Sequence, residues 1–162
     1  MAEVFMLLGG NVGDKSKIFQ QTKKLISERI GLIIKESSVY ATEPWGFESD
    51  LFWNQAIATV TELDPYEILI QTQSIEKEMG RLTKSTNYEA RTIDIDLLFY
   101  DNLVLEMPDL TIPHPKMGER RFVLIPLAEI ASNICHPKTG LSVQEMLQKC
   151  RDPLRVERIG YK

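Results

Sequence analysis

Strand-period and helix-period segments follow one another along this chain in the order β-α-β-β-α-β, and that order leaves few ways to bury every apolar face. Glu3 to Leu8 reads as a strand entering a Gly9-Gly10-Asn11-Val12-Gly13 loop. Asp14 is placed to cap a helix whose stripe is Ile18, Phe19, Thr22, Leu25, Ile26 and Ile30, with Gly31 at its end. Leu32 to Ala41 is β-like, and Gln55 to Leu63 alternates as a strand. Asp64 and Pro65 open a second helix, striped by Ile68, Leu69, Thr72, Ile75 and Met79 and closed by Gly80. Thr92 to Tyr100 is the next strand, and Asp101-Asn102 is expected to turn it into a short partner around Leu103 to Leu105.

Pro108, Pro113, Pro115 and Pro126 break the following region into loops and short turns. Ser142 to Cys150 is a final helix, with Ser142 and Glu145 as a capping box. The expected fold is α+β: a ferredoxin-like βαββαβ core with a mostly antiparallel sheet beneath two helices, plus extra C-terminal elements. No repeat or linker divides it, so residues 1–162 are expected to form a single domain. The stretches 42–53 and 81–91 have no period and exceed the usual loop length, which points to lids or binding segments.

Charge narrows the function. Lys and Arg number 19 against 23 Asp and Glu, a net −4 that disfavours a coat for nucleic acid. Two basic islands stand out within it: Arg81, Lys84 and Arg91 against Glu89, and Lys116, Arg120 and Arg121 against Glu119. Local positive charge in an acidic chain suits a small anionic ligand. No apolar run approaches the ~20 residues that cross a bilayer, and Met1 to Gly10 lacks the charged start of a signal peptide. Cys135 and Cys150 fit no metal or redox spacing and are consistent with a reducing cytoplasm.

The segment Arg91-Thr92-Ile93-Asp94-Ile95-Asp96-Leu97-Leu98-Phe99-Tyr100 carries the most chemistry. Strand geometry puts Ile93, Ile95, Leu97 and Phe99 on one face and Asp94 and Asp96 on the other. Two carboxylates at i and i+2, roughly 7 Å apart, repel one another. Two readings stand: a solvated acidic face, or a clamp for Mg²⁺, which takes one or two carboxylates and completes its shell with phosphates. Arg91 just upstream favours the second, because a phosphate ligand needs both charge types.

Gly9 to Ser16 reads GGNVGDKS, one residue from a phosphate-binding loop, but Asp14 occupies the second glycine position and serves better as a helix cap. Trp45, Phe47, Phe52 and Trp53 cluster in an aperiodic stretch, and Phe122 lies beside the second basic island. Such rings are either core or the walls of a slot for a flat heterocycle, whose polar edge Asn54 has the donors and acceptor to read. His114 is rigidly presented between Pro113 and Pro115; His136 has no supporting context.

Taken together, these residues resemble the 6-hydroxymethyl-7,8-dihydropterin pyrophosphokinase family of folate biosynthesis. The likeness rests on Gly9-Gly10-Asn11, on Tyr40 to Gly46 (YATEPWG), on Phe52-Trp53-Asn54, on the Gln73 to Arg81 helix end, on RTIDIDLLFY, and on Thr111 to His114. It implies a ferredoxin-like fold that transfers diphosphate from ATP to the pterin hydroxymethyl group and releases AMP. It also implies that Asp94 and Asp96 ligate two Mg²⁺ ions, with Arg81 and Arg91 as further catalytic groups. Phe52 and Phe122 would sandwich the pterin, read at its edge by Asn54 and the Thr42, Glu43, Pro44 and Trp45 segment. Glu76, Arg81, Lys84, Tyr88, Arg91, Leu97, Thr111, His114 and Arg120 would line the ATP site.

The chain departs from the family pattern at Thr83, where arginine is frequent, at Glu89-Ala90 for Gly-Pro, at Pro115 for tyrosine and at Gly118 for a basic residue. Phe52 replaces a frequent tyrosine and keeps the ring. A cytoplasmic monomer acting on small molecules, with no nucleic-acid or membrane partner, is the expectation. The rivals are an RNA-binding module of the same fold, whose aromatics belong on central strands, and a two-metal phosphatase or nuclease built on the same aspartates.

Overall fold

The computed structural model describes residues 1–42, 51–83 and 92–159, with the side chains of residues 81–83 outside that description. In chain order the elements are β1 (Ala2–Gly10), α1 (Lys15–Arg29), β2 (Gly31–Glu36), β3 (Tyr40–Thr42), β4 (Phe52–Thr61), α2 (Pro65–Thr83), β5 (Asp94–Tyr100), β6 (Leu105–Met107), β7 (Leu110–Ile112), α3 (Arg121–Ala131), α4 (Val143–Lys149) and β8 (Val156–Arg158). One six-stranded antiparallel sheet runs β5-β1-β4-β3-β8, with β2 also paired to β4. Within the βαββαβ core, β1 lies between β5 and β4, and β4 carries β2 and β3 on its other side, which is the ferredoxin-like order expected from the sequence.

The sheet has two apolar faces and both are covered. Val4, Met6, Leu8, Ile57 and Ile95 pack under α1 and α2 with Phe19, Ile26, Ile68, Ile75 and Met79. Phe5, Leu7, Ala56, Ala58 and Phe99 pack under α3 and α4 with Leu124, Leu127, Val143 and Met146. Local signals set the helix starts as expected: Asp14 accepts from the Lys17 N–H, and Ser142 and Glu145 cap α4 reciprocally.

Several expectations give way to tertiary contacts. Gly31 stands just past the Ile30 cap of α1, as expected, but it also begins β2, where a Cβ would lie 2.0 Å from the Val60 carbonyl oxygen. Gly9 and Gly10 belong to β1 rather than to a loop, and α2 runs through Gly80. Phe52 and Trp53 start β4. The strand after Tyr100 pairs not with β5 but with β7, in the hairpin Leu105–Met107 against Leu110–Ile112. The region of scattered prolines contains a full helix, α3, with Pro126 inside it; burial of Val123, Leu124, Leu127 and Ala131 outweighs the one hydrogen bond that proline forfeits. The predicted apolar face of β5 holds only through Leu97. A bulge at Leu98 turns Phe99 to the α3 side, opposite Phe5.

Candidate active site

Residues directly opposite one another in an antiparallel ladder share a face. Across β4, β1 and β5 the register sets Asn54 beside Gly9 and Gly9 beside Asp94, while Asp96 lies opposite Leu7. On the other side of β4, Tyr40 lies opposite Asn54 and Thr42 opposite Phe52. Thr42, Phe52, Asn54, Gly9, Asp94 and Asp96 therefore look the same way, toward the layer that holds α3. The acidic pair stands half-buried on the opposite face from Ile93, Ile95 and Leu97, as the alternation requires.

Gly9 keeps the middle of this floor bare. A Cβ there would stand 2.9 Å from the Asn54 Oδ1 atom, which belongs to a side chain only 4% exposed. At the sheet edge the Glu76 carboxylate accepts from the Ile95 N–H at 2.8 Å. That bond satisfies an edge-strand donor between the two aspartates and fixes their backbone. Asn11, just past the end of β1, is buried, and its Oδ1 has no hydrogen-bond partner among the described residues.

Positive charge and an aromatic ring close one side. Arg120 occupies the N-cap position of α3, and its guanidinium carbon lies 5.7 Å from the centre of the Phe122 ring. The His114 backbone N–H reaches the Leu98 carbonyl at 3.1 Å, anchoring it to β5. Its Nδ1 accepts from the Lys116 N–H at 3.2 Å, which assigns the ring proton to Nε2. Burial pushes the His114 pKa down; the Asp96 charge opposes this, while Arg120 and Lys116 reinforce it. Asp96, His114 and Arg120 thus form one electrostatic cluster. Thr111 sits on β7 with its hydroxyl toward the Met107 carbonyl.

Not every expected residue joins this group. Leu97 packs with the α1 and α2 core on the far face. Trp53 does the same, edge-to-face with Phe19 at 5.9 Å and with the Lys15 ammonium 5.6 Å from its ring centre, so it is structural. Glu43, Pro44, Trp45, Lys84, Tyr88 and Arg91, and the Arg81 side chain, lie outside the described residues. The residues that sequence reasoning passed over are Gly9 as the floor and Glu129. The Glu129 carboxylate reaches Tyr40 and Ser38 across the sheet.

The donor chemistry at Asp94 and Asp96 fits a hard cation. Two carboxylates share one strand face, and the described residues offer no cluster of three or more His, Cys, Asp or Glu side chains able to hold a metal ion. A site so incomplete suits an ion that fills its shell with water and substrate phosphates, as Mg²⁺ does.

Comparison with known proteins then places the chain. Residues 5–132 match the 7,8-dihydro-6-hydroxymethylpterin-pyrophosphokinase (HPPK) family. The 2-amino-4-hydroxy-6-hydroxymethyldihydropteridine pyrophosphokinase of Porphyromonas gingivalis is 41% identical over 142 residues, covering 85% of this chain and 96% of that protein. The Bacillus subtilis protein of the same name is 39% identical over 132 residues, covering 80% and 78%. Wild-type HPPK-DHPS of Plasmodium falciparum superposes with a TM-score of 0.73 over 91% of this chain. At 17% identity that likeness speaks to the fold, and this chain spans 41% of that longer one.

Proposed function

The chain belongs to the 7,8-dihydro-6-hydroxymethylpterin-pyrophosphokinase family and is a pyrophosphokinase of folate biosynthesis, and from that premise we propose how its residues divide the work. ATP is the co-substrate. Phe52 from β4 and Phe122 from α3 flank the pterin ring, and Asn54, with the segment Thr42, Glu43, Pro44 and Trp45, reads its polar edge. Asp94 and Asp96 would hold two Mg²⁺ ions. The observation that carries this reading is the line Asn54–Gly9–Asp94 across three paired strands, an amide and a carboxylate separated by a residue with no side chain. A ring seated on Asn54 then places its substituent over Gly9, toward the acidic pair.

In the transfer, the pterin hydroxyl oxygen bonds to the β-phosphorus of ATP while the bond from that phosphorus to the bridging oxygen of AMP breaks. The hydroxyl proton leaves to solvent, and the products are the pterin diphosphate and AMP. Reactions of this kind need alignment and charge neutralisation rather than a protein nucleophile. Bound magnesium supplies charge neutralisation along the triphosphate. Arg81, Arg91 and Arg120 add positive charge, and the aromatic pair supplies alignment. His114, held largely neutral, offers its Nε2 proton as a donor to phosphate or ribose oxygen. Glu76, Lys84, Tyr88 and Thr111 complete the nucleotide site.

The remaining assignments are a single catalytic domain over 1–162, a monomer and a cytoplasmic setting. Cys135 and Cys150, both free thiols, support the last of these. Among the described residues no helix is long and apolar enough to cross a membrane. The direct test incubates the purified chain with ATP, Mg²⁺ and 6-hydroxymethyl-7,8-dihydropterin and resolves nucleotides by chromatography. AMP that accumulates only when the pterin is present supports the reading, whereas ADP or no product contradicts it.

A further inference from the structure

The two rings assigned to the pterin slot sit on different elements, Phe52 on β4 and Phe122 on α3, so something must set the gap between them. Apolar packing of Val123, Leu124 and Leu127 presses α3 onto the sheet but has little directionality. The directional link is polar. Glu129 lies two helical turns after Phe122 on the same side of α3. Its Oε1 accepts from the Tyr40 hydroxyl at 2.6 Å, and its Oε2 accepts from the Ser38 backbone N–H at 2.9 Å and from the Ser38 hydroxyl at 3.3 Å.

What Glu129 grips is itself fastened to the floor of the slot. Ser38 is fully buried, and Tyr40 is 8% exposed. The Ser37 hydroxyl accepts from the Ala56 N–H at 2.9 Å, and Gln55 Nε2 donates to the Ser37 carbonyl at 2.8 Å. Tyr40 is in register with Asn54, and two residues on Thr42 is in register with Phe52. A single carboxylate therefore couples the helix of one ring to the strand pair of the other.

We propose that Glu129 is a positioning residue for the pterin slot, fixing the spacing of Phe122 against Phe52 through Tyr40 and Ser38. This rests on the assignment of those two rings to the pterin. The tie persists at ordinary pH. Burial, followed by the bond to Glu129, pushes the Tyr40 hydroxyl up to about 12, so it stays a donor. Arg158, opposite Tyr40 on β8, works the other way on that hydroxyl and helps hold Glu129 ionised.

The test compares Tyr40→Phe, Glu129→Gln, their double variant and Phe122→Ala with the full-length wild-type chain. Calorimetry measures binding of a non-hydrolysable ATP analogue with Mg²⁺, and then of 6-hydroxymethyl-7,8-dihydropterin to that complex. Tyr40→Phe and Glu129→Gln should each raise the pterin Kd three- to tenfold and leave the nucleotide Kd within twofold. The double variant should be no worse than the poorer single. Should Glu129→Gln fail to fold, Tyr40→Phe alone decides. Unchanged pterin affinity in both single variants, alongside weakened binding in Phe122→Ala, overturns the role of Glu129 and spares the slot. Equal losses of pterin and nucleotide overturn it as well, since they mark general loosening. Unchanged pterin affinity in Phe122→Ala overturns the slot itself and this role with it.

Discussion

Asn54 and Asp94 stand on either side of Gly9, in register across β4, β1 and β5 and on the same face of the sheet. An amide able to read a heterocycle and a carboxylate able to hold a cation are thereby separated by one strand and no side chain. The consequence falls on Gly9. Its Cβ would approach the Asn54 Oδ1 atom to 2.9 Å, closer than such contacts allow, and Asn54 is too buried to step aside freely. Gly9→Ala is expected to raise the pterin KM at least tenfold with little change in the ATP KM. Steady-state kinetics in each substrate checks this, and an unchanged pterin KM contradicts the placement of the ring on Asn54.

The acidic pair makes the sharper prediction for rate. Both aspartates lie on the site face of β5, away from the core that Ile93 and Ile95 build. Asp94→Asn and Asp96→Asn should each cost at least about 3 kcal/mol in the transition state, the scale of losing one preorganised electrostatic contact. Thermal unfolding should shift little. Wild-type turnover in both purified variants would reject the assignment.

Glu76 separates a structural duty from a nucleotide one. Its carboxylate takes the Ile95 N–H on the outermost strand. Glu76→Ala leaves that donor without its acceptor and should cost about 1–3 kcal/mol of stability in urea. Glu76→Gln keeps an acceptor oxygen and should lose well under half of that. Equal losses in the two variants would show that the hydrogen bond is not what matters at this position.

The order of elements could be read from the sequence because its signals are local. Asp14 before a helical stripe, Pro65 after Asp64, and Ser142 with Glu145 each act within one turn, and all three sit where expected. The face of Asp94 and Asp96 was equally legible from period two. What escaped depends on distant partners. Phe99 changes face because β5 bulges against β1 at Leu98. The helix α3 hides behind Pro126, which reads locally as a breaker, and only the sheet surface beneath Val123, Leu124 and Leu127 makes it form. Gly9 looked like part of a loop until β4 and β5 stood beside it. The Glu129–Tyr40 bond spans 89 residues, and no pattern in either segment announces it.

Acid should weaken the fold through His136. Its Nδ1 accepts from the Lys138 and Thr139 N–H groups at 3.1 and 3.4 Å, and its ring meets Phe99 edge-on. Burial first and the Lys138 charge second push its pKa below the usual histidine value. A depressed pKa means that the unfolded chain takes up the proton more readily. The contribution of His136 is therefore fully present above about pH 6.5, the unfolded value, and is lost as pH falls through the folded one. Urea unfolding should show lower stability at pH 5.5 than at pH 7.5. His136→Asn, which keeps an acceptor near Nδ1, should narrow that difference; a difference as large as in the wild type would locate the titration elsewhere.

The claim on which the rest depends is that Asp94 and Asp96 hold the magnesium that accompanies the nucleotide. Titrating a non-hydrolysable ATP analogue into the wild-type chain and into the Asp94→Asn/Asp96→Asn double variant, each with and without Mg²⁺, addresses it most directly. The wild type should bind the nucleotide at least tenfold more tightly with Mg²⁺ present, and the double variant should bind it no more tightly with the ion than without. The same gain from Mg²⁺ in both proteins would contradict the account.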